Sequence, residues 1–137
     1  MRREVILPVG PSAALKARTA LNDAIPPPAL DGRYDDARLA LSEVVTNAVL
    51  HADLNRERDV IRLVMETDDS HLRVEVEQQT SAGDAHPATP RTDPADRPGG
   101  FGLMLVEALA DDWGAEAGPP GYVWFEFRLE EPAAVQA

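Results

Sequence analysis

The sequence predicts an α+β fold, a two-layer α/β sandwich in which helices lie on one face of a mixed, mostly antiparallel sheet. Helix-like spacing of apolar residues both precedes and follows a group of short alternating segments. Two of those segments are joined by a polar turn, and the regular strand–helix–strand alternation of a parallel sheet does not occur. With 137 residues and no internal repeat, the chain fits one domain, residues 1–137.

The first predicted elements are a strand and a helix. Glu4 to Val9 alternate weakly and predict a strand that ends at the Gly10-Pro11 break. Ser12 is a candidate N-cap for a helix over Ala13 to Ile25, which the prolines at 26–28 would stop. The apolar residues at helical spacing are Ala14, Leu15, Ala17, Leu21 and Ile25.

The second helix is the most strongly patterned segment. Asp31 or Asp35 would open it, and it would run to about Ala52. At 100° per residue, its apolar side chains fall within one arc of about 140° suited to packing on the sheet. They are Ala37, Leu41, Val44, Val45, Ala48, Val49 and Ala52.

A hairpin is predicted next. Strands over about Val60 to Glu66 and Leu72 to Gln78 would be joined by the turn Asp68-Asp69-Ser70. From Thr80 to Arg97 the chain has no periodicity and carries three prolines, which indicates a long loop inside the domain, and such loops are often functional lids.

The last predicted elements are a third helix and a final strand. The helix would follow Gly102 and run to about Ala110, and the strand would cover Tyr122 to Leu129 with alternate apolar residues on one face. Trp113 and Trp124 are expected to pack in the core. The tail at 131–137 is expected to be disordered.

Charge and composition exclude several classes of function. Acidic residues outnumber basic ones by 24 to 13, for a net charge of −11, and no basic run could neutralise nucleic-acid phosphates, so direct nucleic-acid binding is not expected. The longest apolar runs are too short to span a bilayer. Cysteine and a recognisable secretion signal are both missing from the sequence, which favours a cytoplasmic protein.

One side of the second helix carries polar residues. Glu43, Asn47 and His51 are spaced four apart and fall within about 80°, so they can serve one site. Taken alone, they are more simply explained as the solvated side of an amphipathic helix. Asparagine is a poor helix former, however, and its amide oxygen is a good ligand for Mg²⁺. A carboxylate one turn away could deprotonate a nucleophile.

A glycine-rich turn precedes the third helix. Gly99, Gly100 and Gly102 surround Phe101 and lead directly into Leu103. Glycines let backbone N–H groups approach phosphate oxygens, and the helix dipole favours negative charge at that end. Taken alone, the same residues are equally consistent with an ordinary turn.

Together the two segments resemble a known family. The stretch from Leu39 to Ala52, with Glu43, Asn47 and His51, closely resembles the N-box of the GHKL, or Bergerat-fold, ATPases, and Gly100 to Val106 resembles their second glycine box. The order and separation of the boxes also match. With the ending Trp124-Phe125-Glu126, the chain most resembles the stand-alone anti-sigma-factor serine/threonine kinases of that superfamily, and the resemblance covers nearly its whole length.

The resemblance implies roles for individual residues. Asn47 would coordinate the Mg²⁺ that bridges the ATP phosphates, Glu43 would be the general base, and the loop at about 83–99 would be the ATP lid. Such proteins bind a sigma factor and phosphorylate an anti-sigma-factor antagonist on Ser or Thr, and the family suggests a homodimer. The residues implied to contact the nucleotide are Asn47, His51, Gln78, Gly99, Gly100, Phe101, Gly102 and Leu103.

The chain departs from the family at the first glycine box. Where the family has Asp-x-Gly-x-Gly, residues 78–82 are Gln-Gln-Thr-Ser-Ala. Strand alternation makes Gln78 the equivalent of the adenine-binding Asp, since Val74, Val76 and Gln78 share a face. A neutral Gln oxygen can accept from an adenine amino group, but a carboxylate makes the stronger bond.

Three hypotheses follow. The leading one is an ATP- and Mg²⁺-dependent regulatory kinase of the anti-sigma type. The second is a module that keeps the fold and sequesters a sigma factor or its antagonist without catalysis, as the altered first glycine box permits. The third is a small α+β protein that binds no nucleotide.

Overall fold

A computed structural model describes residues 1–26, 30, 32–51, 57–68, 70–79, 101–116 and 121–129. The strands are β1 (Arg2–Pro8), β2 (Val60–Thr67), β3 (His71–Gln79), β4 (Asp112–Glu116) and β5 (Tyr122–Arg128). The helices are α1 (Ala13–Ala24), α2 (Tyr34–His51) and α3 (Phe101–Leu109). The predicted lid at 83–99 and the predicted tail at 131–137 lie outside the described residues.

The strands form one five-stranded sheet in the order β1-β2-β3-β5-β4. Every strand pairing in the described part of the chain is antiparallel. Cross-strand neighbours set the register: Leu63 pairs with both Val5 and Val76, and Val74 pairs with Phe125. The prediction of a two-layer α+β fold with a mostly antiparallel sheet is confirmed.

The core lies between one face of the sheet and the three helices. Alternate strand residues point to that face because successive side chains of a strand project to opposite sides. The fully buried strand side chains include Leu7, Ile61, Leu63, Met65, Leu72, Phe125 and Phe127. The buried residues of α2 are Ala37, Ala40, Leu41, Val44, Val45 and Ala48. Five of the seven residues of the predicted core arc are thus confirmed, Val49 is half-buried against the core, and Ala52 lies outside the described residues.

The start of α1 differs from the prediction in two respects. Ser12 precedes the helix as its N-cap residue, but its hydroxyl makes no capping hydrogen bond. Leu15, predicted on the apolar face, is 59% exposed, whereas Ala13 is buried. The helix therefore turns Ala13, Ala17 and Leu21 inward, a stripe that leaves Leu15 on the solvent side.

The hairpin of β2 and β3 is confirmed. Asp68 closes its turn, since one carboxylate oxygen accepts the backbone N–H groups of Ser70 at 2.7 Å and His71 at 2.8 Å. These hydrogen bonds favour the charged form and lower the pKa of Asp68. The turn is thus fixed by an aspartate that bonds to its own backbone a few residues on.

Strand β4 was not predicted, and it changes the surroundings of both tryptophans. β4 pairs with β5 at the edge of the sheet. Trp113 packs against the core as predicted. The prediction for Trp124 is wrong, because it lies on the opposite face of the sheet, where the Arg73 guanidinium stacks 4.5 Å from its ring centre.

The open face of the sheet is covered by charged side chains. Arg62 bridges two acids, with Nε 2.5 Å from Glu4 and a terminal nitrogen 3.2 Å from Glu77. The hydrogen bond from Arg62 is the main reason that the pKa of Glu4 falls to about 2. Val64, on the same face, is only 3% exposed. Long charged side chains with apolar stems can cover an aliphatic residue in this way.

Candidate functional site

The polar side of α2 is partly enclosed and is not a fully solvated surface. Glu43 and Asn47 are both half-buried, one helical turn apart. The Asn47 side-chain nitrogen is buried and has no hydrogen-bond partner within the part of the chain that the structure describes. His51 ends the helix, and its side chain lies outside the described residues.

The side-chain nitrogen of Asn47 is a buried donor without a partner among the described residues. Most buried polar groups are hydrogen-bonded, and one left unpaired costs about 1–3 kcal/mol. A bound ligand removes this cost when the ligand supplies the missing partner. The amide also carries a carbonyl oxygen, the kind of ligand that Mg²⁺ takes from proteins, and rotating the group exchanges its oxygen and nitrogen positions. The unpaired nitrogen is a donor and calls for an acceptor such as a phosphate oxygen, whereas the magnesium role that the resemblance implies falls to the carbonyl oxygen of the same amide.

Helix α1 fixes which end of the sheet the second half of α2 reaches. Gly10 follows β1 closely, and its carbonyl oxygen accepts the first N–H of α1, from Ala13, at 3.1 Å. The end of α1 lies at the start of α2, since the Tyr34 hydroxyl donates to the side-chain oxygen of Asn22 at 3.2 Å. The two helices therefore run antiparallel, and Asn47 lies toward the sheet end where β1 and β3 finish and β2 begins.

Helix α3 points its N-terminus toward the same region. The guanidinium of Arg33, one residue before α2, donates to the carbonyl oxygen of Leu109, the last residue of α3, at 3.0 Å. Because α2 and α3 pack together, they run antiparallel. Nine residues of helix span about 13.5 Å, so Phe101 lies roughly level with Glu43, nine residues after Tyr34.

The predicted glycine loop is described only at its helical end. The backbones of Phe101 and Gly102 form the first residues of α3, and Leu103 is buried. Gly99 and Gly100 lie outside the described residues. The prediction that a helix N-terminus follows this turn is confirmed, and its contact with phosphate stays a prediction.

Gln78 ends the row of core-facing residues on β3. It is half-buried on the face of Val74 and Val76, opposite Ile61, as strand alternation predicted. Its backbone N–H donates to the carbonyl oxygen of Gly121 at 2.9 Å. The Gln79 side chain lies on the other face and donates to Glu77 at 3.1 Å. Of the two glutamines, Gln78 is therefore the one that faces the helices.

Asp59 was missed by the sequence reasoning. It immediately precedes β2 and is 5% exposed, and it is the one buried charged residue among the residues described. The signal available in the sequence was its position two residues before Ile61, which matches the two-residue alternation of the strand that follows. Asp59, Gln78 and the second half of α2 converge on one end of the sheet.

The family assignment follows from comparison with known proteins. A model described as the histidine kinase-like ATPase domain matches residues 12–123. The chain belongs to this family. The match runs from the start of α1 into β5, and so includes Glu43, Asn47, Gln78 and the glycine loop. The predicted membership of the GHKL ATPases is confirmed.

Curated relatives of this ATPase-domain chain include serine-protein kinases. The chain is 33% identical over 86 residues to the serine-protein kinase RsbW of Oceanobacillus iheyensis, which is 57% of this chain and 54% of the relative. It is also 33% identical over 87 residues to RsbW of Staphylococcus epidermidis, which is 57% of this chain and 55% of that relative. The chain thus spans about half the length of the curated relatives that it matches.

Solved structures share the ATPase-domain fold. The RsbU and RsbW domains of a Mycobacterium tuberculosis protein align with a TM-score of 0.70 at 20% identity, covering 96% of this chain and 33% of that one. A histidine kinase domain from Erythrobacter litoralis aligns with a TM-score of 0.55 at 22% identity, covering 89% and 61%. At these identities the likeness establishes the fold. Among the described residues, no helix has the length and apolar character needed to cross a membrane.

Proposed function

We propose that this chain binds ATP with Mg²⁺ between the second half of α2 and the start of α3, and phosphorylates Ser or Thr of a partner protein. The observation that carries the proposal is the buried side-chain nitrogen of Asn47, a donor that has no acceptor among the described residues although the surrounding helix is well packed. The order of the two sequence boxes and the kinase names of the relatives support the same function.

The phosphate end of the site would be formed by α2 and the glycine loop. Asn47 would hold Mg²⁺ through its amide oxygen, and the backbone N–H groups of Gly99 to Gly102 would bind phosphate oxygens at the N-terminus of α3. Mg²⁺, when bound, neutralises charge on the phosphates. His51, Gln78 and Leu103 would complete the contacts with the nucleotide.

Glu43 would act as the general base. Its carboxylate is half-buried and lies one helical turn before Asn47. It would accept the proton of the incoming Ser or Thr hydroxyl as that oxygen forms its bond to the terminal phosphorus, while the bond to the leaving ADP oxygen breaks. In this role Glu43 is needed for phosphate transfer but not for ATP binding. Mutation of Glu43 should therefore separate the two activities.

The proposed partners are a sigma factor and an anti-sigma-factor antagonist, the latter being the phosphate acceptor. The net charge of −11 is compatible with a basic protein partner. A cytoplasmic homodimer is part of the proposal. The residues at 78–82 support a second candidate, a sequestering module of the same fold that has lost catalysis, because a neutral Gln replaces the expected carboxylate.

Calorimetric titration with ATP and ADP in the presence of Mg²⁺ tests nucleotide binding. The wild-type chain should bind both nucleotides, and Asn47→Ala should weaken binding at least about tenfold, because a direct Mg²⁺ ligand is lost. Leu50→Ala, an exposed position on the same helix, is the matched control and should bind as the wild type does. No heat at millimolar nucleotide with the wild-type chain would rule out the ATP site.

Labelled-phosphate transfer to a co-purified protein separates the kinase from the sequestering module. The wild-type chain should label its partner on Ser or Thr, and Glu43→Ala should abolish the label while ATP binding stays within about threefold of the wild type. Partner binding without labelling supports the sequestering module. Full transfer by Glu43→Ala removes this residue from the role of base.

A further inference from the structure

The carboxamide of Gln78 is a neutral polar group that β3 turns toward the helices, at the end of the sheet nearest Asn47. Val74 and Val76, on the same face of the strand, are buried, whereas Gln78 is half-buried, so the row of core side chains opens at this residue. Its backbone N–H is held by the carbonyl oxygen of Gly121. No hydrogen bond joins its carboxamide to another residue that the structure describes. The backbone is thus fixed, and the side-chain amide is available to a ligand.

Two carboxylates at this end of the sheet are already engaged. Asp59 precedes β2 and is 5% exposed, and it has an interaction partner within the chain. Glu77, next to Gln78 in sequence, lies on the open face of the sheet, 3.2 Å from a guanidinium nitrogen of Arg62. Neither acid therefore offers an unpaired carboxylate to a ligand on the helix side of β3, which leaves the neutral amide of Gln78.

A carboxamide and a carboxylate select purines differently. The six-membered ring of adenine carries an amino group, which is a donor, whereas that of hypoxanthine carries a carbonyl oxygen, which is an acceptor. An ionised carboxylate only accepts, so it bonds to the amino group and repels the carbonyl oxygen. A carboxamide offers its oxygen to the amino group and its N–H to the carbonyl oxygen, and turning the amide over exchanges the two.

We infer that the chain accepts purine nucleoside triphosphates that carry either an amino or a carbonyl group at this position of the ring, because the amide of Gln78 bonds to both. This inference rests on the proposed function. It widens the substrate from ATP to a class of nucleotides and assigns that breadth to one side chain. A neutral hydrogen bond is weaker than a charge-assisted one, so the phosphates and Mg²⁺ would supply most of the affinity.

The test compares ATP with inosine triphosphate, which carries a carbonyl in place of the amino group. With Mg²⁺ present, calorimetry on the wild-type chain should give two dissociation constants within about threefold of each other. Gln78→Glu has the same length and should separate them by at least about tenfold in favour of ATP, because its carboxylate only accepts. Gln79→Glu adds the same charge on the open face of the sheet, and this matched control should keep the wild-type ratio.

Each outcome decides the inference. A wild-type chain that binds ATP at least about tenfold more tightly than inosine triphosphate overturns it, as does a ratio that Gln78→Glu leaves unchanged, and both results leave the proposed function intact. If Gln78→Glu does not fold, Gln78→Leu decides. It removes both hydrogen bonds, so the affinities for the two nucleotides should fall together by about threefold or more, and unchanged affinities overturn the inference. If neither nucleotide binds the wild-type chain, the proposed function fails, and the inference fails with it.

Discussion

The guanidinium of Arg33 donates to the carbonyl oxygen of Leu109 and so joins the start of α2 to the end of α3. The same side chain donates to the carbonyl oxygen of Arg128 at 3.3 Å, contacts Asp111 at 3.2 Å and lies 4.7 Å from the ring centre of Phe127. Two helices and the last strand therefore meet at one cation, at the end of the sheet far from Asn47.

Arg33→Ala should destabilise the fold. We expect the free energy of unfolding to fall by about 2 kcal/mol, because two carbonyl oxygens and a carboxylate lose a charged donor. Lysine should recover only part of the loss, since it lacks the planar fork that reaches several acceptors at once. Urea unfolding measures both, and Arg2→Ala, which removes exposed ion pairs, is the control. Equal effects of the two alanine variants would contradict the role of Arg33.

Asp111 should make stability depend on acid pH. Its carboxylate accepts the backbone N–H of Arg128 at 2.6 Å, and this bond, with Arg33 nearby, lowers its pKa in the folded state. The stabilisation is present above the ordinary Asp value of about 4 and is lost as the pH falls through the lower folded value. Asp111→Asn should therefore cost about 1–2 kcal/mol at pH 7 and progressively less as the pH is lowered below about 4. Thermal unfolding across this range checks it, and a constant difference would count against the assignment.

Gly114 leaves space for the ring of Trp124 across the β4–β5 pair. A Cβ at this position would lie 2.6 Å from the ring nitrogen of Trp124, so the ring or the strand must move. We expect Gly114→Ala to cost about 1–3 kcal/mol in urea unfolding and to alter tryptophan fluorescence as the ring leaves Arg73. Gly10→Ala, where no atom lies within 4 Å of the added carbon, should change little. Similar results for both variants would refute the steric argument.

Asn47→Ala should stabilise the nucleotide-free protein. The substitution removes a buried side-chain nitrogen that lacks a partner among the described residues and introduces the best helix former, a gain of about 1 kcal/mol. Asn22→Ala on α1 is the matched control, because it makes the same helix-propensity gain but loses the hydrogen bond from Tyr34. The melting temperatures of the two variants, measured without nucleotide, compare their stabilities. A larger fall in melting temperature for Asn47→Ala than for Asn22→Ala would show that the Asn47 amide has a hydrogen-bond partner in the folded protein.

The periodic spacing of apolar residues predicted those helices and strands that bury a continuous row of side chains. The core arc of α2 and the alternation of β3 that turns Gln78 inward both follow from repeats of 3.6 and 2 residues. Strand β4 was not predicted because the segment Asp112–Glu116 is short. It also has a glycine and an alanine at positions where alternating apolar and polar residues would indicate a strand. Trp124 was misplaced for a related reason: a large ring on the open face is covered by Arg73, which no local pattern reveals.

Some residues of the candidate site could likewise be predicted from the sequence, and others could not. Glu43 and Asn47 could be singled out because both lie on one helix at a fixed spacing. Asp59 could not, because its burial depends on how the chain packs at the end of the sheet, which a local sequence pattern does not show. Whether a polar side chain such as that of Asn47 is buried depends on packing with other elements, which helical periodicity does not give.

The position of β1 has a consequence for folding kinetics. Its partner is β2, and the contact between Arg2 and Glu66 joins residues 64 apart in sequence, with α1 and α2 between them. The strands of the β2–β3 hairpin are joined by a short turn, so their pairing requires the closure of only a short loop. Pairing of β1 with β2 requires the closure of a long loop and is expected to be slower. Refolding should therefore show a rapid local phase followed by slower docking of the N-terminal strand, and the helix that carries Asn47 lies within the loop that this docking closes.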